Sequence, residues 1–198
     1  MNLIFATNNQ HKVDEIRAVL PSSFQIMTLK EAGINIDIPE PHETLQENAR
    51  EKAVTINQLT GMDCFSEDTG LEVYALNGEP GVRSARYAGD DKSFRTNIDK
   101  LLHELGNNEN RNAQFRTVIC LLLNKEEYFF EGICQGKIIA AQKGSEGFGY
   151  DPVFVPDGAG KTFAEMSLEE KNRFSHRRKA VDKLVLFLSN VNTIKEEI

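Results

Sequence analysis

The sequence predicts a mixed α/β sheet flanked by helices, with a hairpin-rich second lobe, in one domain covering 1–198. Three observations carry this. Short apolar runs alternate with helical periodicities through the first half of the chain. Two long apolar runs in the middle, Ala113 to Asn124 and Tyr128 to Gln135, are joined by a short polar turn around Lys125 and Glu126. The last third ends in an amphipathic helix. The 198 residues, 40% hydrophobic and 27% charged, suit one large domain or two small lobes with a real core.

In chain order, Leu3-Ile4-Phe5-Ala6 is a short buried strand. Val13, Ile16, Arg17 and Leu20 follow at helical spacing until Pro21 stops the helix. A polar loop then carries Glu40 between Pro39 and Pro41. The next helix runs from about Thr44 to Leu59, with Leu45, Ala49, Ala53, Ile56 and Leu59 as its buried stripe and Gly61 as its end. Asn48 and Lys52, four apart, share a different face. Asp63 to Ser66 and Leu71 to Tyr74 read as two strands separated by an acidic segment. Gly78 to Gly89 is a glycine-rich loop bearing Arg83 and Arg86, and Ser93 to Leu105 is a helix ending near Gly106. After the central hairpin come the glycine-punctuated loop Gly144 to Asp151 and the short strand Val153 to Val155. The final helix runs from about His176 to Leu188, with a stripe of Ala180 or Val181, Leu184, Val185 and Leu188. There is no internal repeat or low-complexity tract.

Bulk properties exclude several roles. A formal charge of −7 disfavours a nucleic-acid backbone or an anionic membrane as partner. The basic residues between Lys171 and Lys179 instead suit a small polyanion. Cys64, Cys120 and Cys134 form no CxxC spacing and lie in apolar runs, so they read as buried reduced thiols of a cytoplasmic protein. No apolar run approaches the roughly 20 residues needed to span a bilayer. The start has no basic segment or cleavage site and reads as a first strand.

Four polar motifs punctuate the apolar stretches. Thr7-Asn8-Asn9-Gln10-His11-Lys12 sits on a strand-to-helix turn, whose backbone N–H groups suit phosphate and to which Lys12 adds a charge. The glycines of a Walker A loop are absent. Taken singly, the segment also reads as an N-cap cluster with a surface lysine. Ser66-Glu67-Asp68-Thr69-Gly70 ends an apolar strand with two carboxylates, of which only one can face a given pocket. Asp68 suits Mg²⁺ and the orienting of a water, while Asp-Thr-Gly is equally ordinary turn chemistry. Glu40 lies between two prolines before the helix that carries Glu47, Asn48 and Lys52; a carboxylate and the Lys52 ammonium could join a metal–phosphate assembly, or the helix residues form a solvated face with i,i+4 Glu–Lys pairs. In Gly147-Phe148-Gly149-Tyr150-Asp151-Pro152, an aromatic between glycines can stack on a base, and Asp151 or nearby backbone can read its edge. The alternative is a turn with Phe148 and Tyr150 in the core. Ser175 caps the last helix, and His176 and Arg177 follow in its first turn. Cations there oppose the helix dipole, which points to a compensating anion or electron-rich ligand; the segment also reads as a plain surface basic cluster.

In this order and spacing the motifs resemble the inosine triphosphate pyrophosphatase family, from Thr7 to about Ala180. The resemblance implies hydrolysis of ITP, dITP and XTP to the monophosphate and pyrophosphate with Mg²⁺, cleansing the nucleotide pool. It implies an elongated mixed β-sheet flanked by helices, two lobes with the active-site cleft between them, and a homodimer. Thr7 to Lys12 matches the nucleotide-binding TxNxxK segment, and Glu47-Asn48-Ala49 with Lys52-Ala53 matches the ENAxxKA helix, with Lys52 near the phosphates. Asp68 matches the catalytic acid and metal ligand, Thr69 a substrate-contacting hydroxyl, and Glu40 the second metal carboxylate. Phe148, Gly149, Tyr150 and Asp151 match the base pocket, and Lys171, His176 and Arg177 match the segment contacting substrate and purine. Glu67 stands where Asp is common, and Arg83 where a tyrosine or small apolar residue is common.

A donor from His176, Arg177 or the backbone near Asp151 would pair with a 6-keto purine and leave adenine unsatisfied. An unpaired buried polar group can discriminate by as much as ~10⁴-fold. Guanine shares the 6-keto group, so its rejection must act on the 2-amino group instead.

Overall fold

The computed structural model describes residues 2–22, 24–90 and 93–196. Its elements in order are β1 (Asn2–Phe5), α1 (Gln10–Arg17), β2 (Gln25–Thr28), α2 (Leu45–Thr60), β3 (Cys64–Val73), β4 (Pro80–Gly81), α3 (Phe94–Leu105), β5 (Asn112–Leu123), β6 (Glu126–Ile138), β7 (Phe154–Pro156), α4 (Leu168–Asn172) and α5 (His176–Glu196). The strands form one mixed sheet in the order β2-β1-β3-β5-β6-β7, with β4 paired to β3. β1 runs parallel to β2 and to β3, while β3–β4 and β6–β7 are antiparallel. The mixed α/β sheet with flanking helices is the predicted class.

Two compact units divide the described residues. The first draws on Met1–Asp68, Thr117–Gly132 and Arg177–Ile198, the second on Thr69–Arg116 and Ile133–His176. In the first unit the central strands β1, β3 and β5 are buried on both faces, which is why β1 and β5 read as continuous apolar runs. Alternate residues go to opposite cores. Leu3, Phe5, Phe65, Ile119 and Leu121 pack with Ile16 of α1 and Leu184 of α5. Ile4, Cys64, Cys120 and Leu122 pack with Ala49, Ala53 and Ile56 of α2. The second unit has a single core, in which Leu71, Val73 and Phe115 meet Ile98 and Leu101 of α3 and Phe154 and Phe163.

Four expectations change. The two strands around the acidic segment are one continuous strand, β3, with Glu67, Asp68 and Thr69 inside it. Gly70 serves close packing rather than a turn, because a Cβ there would stand 2.6 Å from the Gly81 carbonyl oxygen. The loop after α1 contains a strand, β2, too short to show a clear alternation. On α2, Leu59 is 59% exposed on the last turn, whereas Asn48 and Lys52 are buried. At about 100° per residue these two fall beside the apolar stripe rather than opposite it.

Phe5 and Phe65 are fully buried and stack with ring centroids 4.6 Å apart, tying the strand that carries the acidic segment to β1. Phe65→Ala is expected to cost about 3–5 kcal/mol, read as a lowered urea midpoint with an unchanged slope.

Candidate functional site

In the first unit the pleat of β3 sorts the acidic residues. Cys64, Ser66 and Asp68 point toward α2, where the Cys64 thiol and the Ser66 hydroxyl donate to the carbonyls of Ala53 and Ala49. Phe65 and Glu67 point the other way, toward α1 and α5. Glu67 and Asp68, adjacent in sequence, therefore build two different clusters.

The first cluster centres on Lys52 of α2. Its Nζ donates to Glu40 Oε1 at 2.7 Å and to Asp68 Oδ1 at 2.9 Å. Burial raises the Asp68 pKa, Lys52 and Lys12 oppose that rise, and Glu40 adds to it, so the net direction is upward. Burial works against the charge of Lys52, but Asp68 and Glu40 outweigh it and its pKa is raised. Among the described residues no group of three or more His, Cys, Asp or Glu could hold a metal ion. The two carboxylates nevertheless converge on one point, and two carboxylates with water and substrate phosphates are a fitting donor set for Mg²⁺.

The second cluster centres on Arg177, one of the largest fully buried side chains. Its Nε and Nη2 donate to Glu67 at 2.8 and 3.0 Å, and its Nη1 donates to Glu15 of α1. Lys12 Nζ lies 3.1 Å from the same Glu67. Burial alone would raise the Glu67 pKa, yet Arg177 and Lys12 hold it down to about 2. The anions that compensate Arg177 at the start of α5 are thus the protein's own. Sequence reasoning missed Glu15. Its only signal was its place beside Ile16 and three residues after Lys12, within the stripe of α1 that turns inward.

The predicted strand-to-helix turn joins β1 to α1. The Asn9 side chain caps α1 by accepting from the Lys12 N–H, and Thr7 Oγ1 accepts from the Asn9 N–H. Asn8 Nδ2 donates to the Ile36 carbonyl, Gln10 to Asp14, and His11 is exposed.

In the second unit Asp151 folds back on its own loop. Its Oδ2 accepts from the Phe148 N–H at 2.9 Å and from Lys171 Nζ at 2.6 Å. A Cβ on Gly147 would meet that oxygen at 2.1 Å, at a backbone φ of +73° that also favours glycine. Lys171 projects from α4, whose start is secured by the Ser167–Glu170 capping box, and lies 5.2 Å from the Phe148 ring centre. Tyr150 is buried in the core and donates to the Ser84 carbonyl, whereas Phe148 is half-buried with its ring 6.1 Å from that of Phe94. Tyr150 thus packs in the core, whereas Phe148 stays partly exposed. His176 is buried and stacks on Phe115 at 4.7 Å. Thr69 and Gly149 are half-buried. His176 belongs to the second unit and Arg177 to the first.

The three cysteines are free and buried, and burial pushes the Cys64 and Cys120 thiols up to about 12, which leaves them unreactive. No helix among the described residues is long and apolar enough to cross a membrane.

The sequence matches the Ham1 family over residues 3–187. It is 51% identical over 190 residues to the dITP/XTP pyrophosphatase of Flavobacterium psychrophilum, covering 96% of this chain and 100% of that protein. It is 39% identical to the dITP/XTP pyrophosphatase of Staphylococcus aureus over 193 residues, covering 97% and 98%. Among solved structures, the Ham1 protein of S. aureus superposes with a TM-score of 0.87 at 39% identity, covering 96% of this chain and 99% of that one. The HAM1 protein of Coxiella burnetii gives 0.88 at 33% identity, with the same coverage.

The paired, depressed carboxyl of Glu67 stabilises the fold above its ordinary pKa of 4.5, and that contribution is lost as pH falls toward about 2. Urea midpoints measured through this window are expected to drop steadily. Glu67→Gln is expected to flatten that part of the profile and to cost about 3 kcal/mol at neutral pH, because a buried guanidinium loses a charged partner.

Proposed function

Given that this chain belongs to the Ham1 family, we propose that it is a nucleoside triphosphate pyrophosphohydrolase acting on non-standard purine nucleotides. Its substrates are ITP, dITP and XTP, its products the monophosphate and pyrophosphate, and its cofactor Mg²⁺. One observation carries the reading. A buried ammonium, Lys52, joins two carboxylates from separate segments, Glu40 and Asp68, at the positions where the family motifs put its metal and catalytic residues. A solvated helix face has no reason to bury a lysine in this way. The homodimer, which rests on the resemblance, and the cytoplasmic location, which suits the free and buried cysteines, are parts of the same proposal.

Glu40 and Asp68 would hold the Mg²⁺. When bound, the ion offsets the triphosphate charge and makes the attacked phosphorus more electrophilic. Asp68 orients a water and takes its proton. The upward direction of its pKa suits a general base working near neutral pH. The water attacks the α-phosphorus and pyrophosphate leaves, with no covalent enzyme intermediate. Lys12 and Lys52 stabilise charge spread over the phosphate oxygens. An ammonium has three N–H donors, so Lys12 can keep Glu67 and still hold a phosphate oxygen. The turn from Thr7 to His11 supplies further donors.

Base recognition falls to Phe148, Gly149, Tyr150 and Asp151 with Lys171, His176 and Arg177, and Thr69 contacts the substrate. Phe148 stacks on the purine. Asp151 and Lys171 hold its loop in shape. His176, Arg177 or the loop backbone donates to the 6-keto oxygen, which adenine lacks. Glu15 and Glu67 keep the Arg177 guanidinium charged and fixed in direction.

Pyrophosphate release with Mg²⁺ from ITP, XTP, GTP and ATP in parallel tests this reading. Fast release from ITP and XTP with the other two far slower is expected. Orthophosphate release, or equal turnover of all four, would overturn it. Asp68→Asn is expected to lower kcat by about 10³-fold or more while the circular dichroism spectrum stays native. Phe148→Ala is expected to raise the KM for ITP by about tenfold, the loss of one base–aromatic stack, with little change in melting temperature.

A further inference from the structure

We infer that Asn48 is a positioning residue whose side-chain amide holds the chain at His42 and so sets where the Glu40 carboxylate stands. The inference rests on the proposed role of Glu40 as a metal ligand.

Between β2 and α2 the chain runs without helix or strand. From Ile34 to Glu40 it alternates. Ile34, Ile36, Ile38 and Glu40 are half-buried, while Asn35, Asp37 and Pro39 are exposed. That is the period-two signature of an extended strap with one face turned inward. Ile34, Ile36 and Ile38 pack against the core built on Ala49, Ala53 and Ile56 of α2, and the same parity brings Glu40 to Lys52 of that helix.

A strap with no strand partner has no ladder to pair its backbone groups, so side-chain hydrogen bonds take that place. Two side-chain tethers flank Glu40. Asn8 Nδ2 donates to the Ile36 carbonyl at 2.8 Å, from an exposed position. The second tether is buried and two-sided. Asn48 Oδ1 accepts from the His42 N–H at 2.9 Å, and Asn48 Nδ2 donates to the His42 carbonyl at 3.0 Å. One amide thus pairs both backbone groups of a single residue, as a neighbouring strand would. Asn48 is 1% exposed and sits one helical turn before Lys52. The helix face that clamps His42 therefore also presents the ammonium that meets Glu40. Pro39 and Pro41 fix φ on either side of Glu40, so a restraint at His42 reaches the carboxylate with little slack. The Asn48 amide spends its hydrogen bonds on His42, while Glu40 and Asp68 are met by Lys52.

The test compares wild type, Asn48→Ala, Glu40→Gln and the double variant. The Mg²⁺ concentration giving half-maximal pyrophosphate release from ITP is measured for each, together with amide hydrogen exchange of the strap in metal-free protein. Asn48→Ala is expected to raise the half-saturating Mg²⁺ about tenfold, as loss of a ligand's supporting partner does. kcat and the KM for ITP at saturating Mg²⁺ are expected to stay near wild type, and strap amides to exchange faster while those of α2 do not. The double variant is expected to be no worse than Glu40→Gln, because both act through one carboxylate. An unshifted Mg²⁺ dependence in Asn48→Ala, beside a shifted one in Glu40→Gln, overturns the inference alone. An unshifted dependence in Glu40→Gln removes Glu40 from the metal site and the inference with it. Should Asn48→Ala fail to fold, Asn48→Asp, which keeps the acceptor for the His42 N–H, is read by the same criteria.

Discussion

Two neighbouring carboxylates on one strand, Glu67 and Asp68, are buried almost completely, and the structure around them follows from the need to compensate both. The pleat of β3 sends them to opposite faces, so each takes its hydrogen bonds from its own cations. On one face α1 and α5 supply Lys12 and Arg177, with Glu15 balancing the extra charge. On the other α2 supplies Lys52, and the strap before it supplies Glu40. The two groups end in different electrical states. Glu67 is held firmly ionised by two cations, whereas burial and a second carboxylate push the pKa of Asp68 upward. A carboxylate so held suits a structural anchor, and one so raised suits proton transfer. Adjacency in sequence thus becomes a division of labour through backbone geometry alone.

Apolar packing sets the positions from which these charges act. Because the central strands β1, β3 and β5 are buried on both faces, each must be flanked on both sides, and the helices that cover them carry the compensating ions. Cys64 and Ser66 spend their side-chain donors on α2 carbonyls, which docks that helix against the strand one turn from where Lys52 meets Asp68. Replacing such buried polar contacts with apolar ones could preserve packing, but it would leave the ionised residues without defined directions.

The second unit solves a smaller problem in a similar way. Asp151 is buried, and its charge is met by Lys171 and by a backbone N–H of its own loop. That loop can close over the carboxylate only because position 147 has no side chain. Tyr150 is drawn into the core and anchored on Ser84, which leaves Phe148 as the ring at the loop's margin.

The sequence by itself determined the periodic elements and the motif residues. Apolar runs and helical stripes are local properties, so β1, α2, α3 and the β5–β6 hairpin could be placed to within a few residues, as could the start of α5, which runs on to Glu196 rather than ending near Leu188. The motif order likewise named Lys12, Glu40, Lys52, Asp68, Asp151 and Lys171 before any geometry. What only the tertiary structure decided was pairing. Whether Glu67-Asp68-Thr69 is a turn or a strand depends on neighbours far along the chain, because a strand exists only when another chain segment completes its hydrogen bonds. That Asn48 and Lys52 are buried, that Glu15 belongs with Arg177 across 162 positions, and that β2 is a strand at all are long-range facts of the same kind. A local pattern records what a residue prefers. Which charge meets which is settled by the energy of burying ions, and that is known only once the partners are in place.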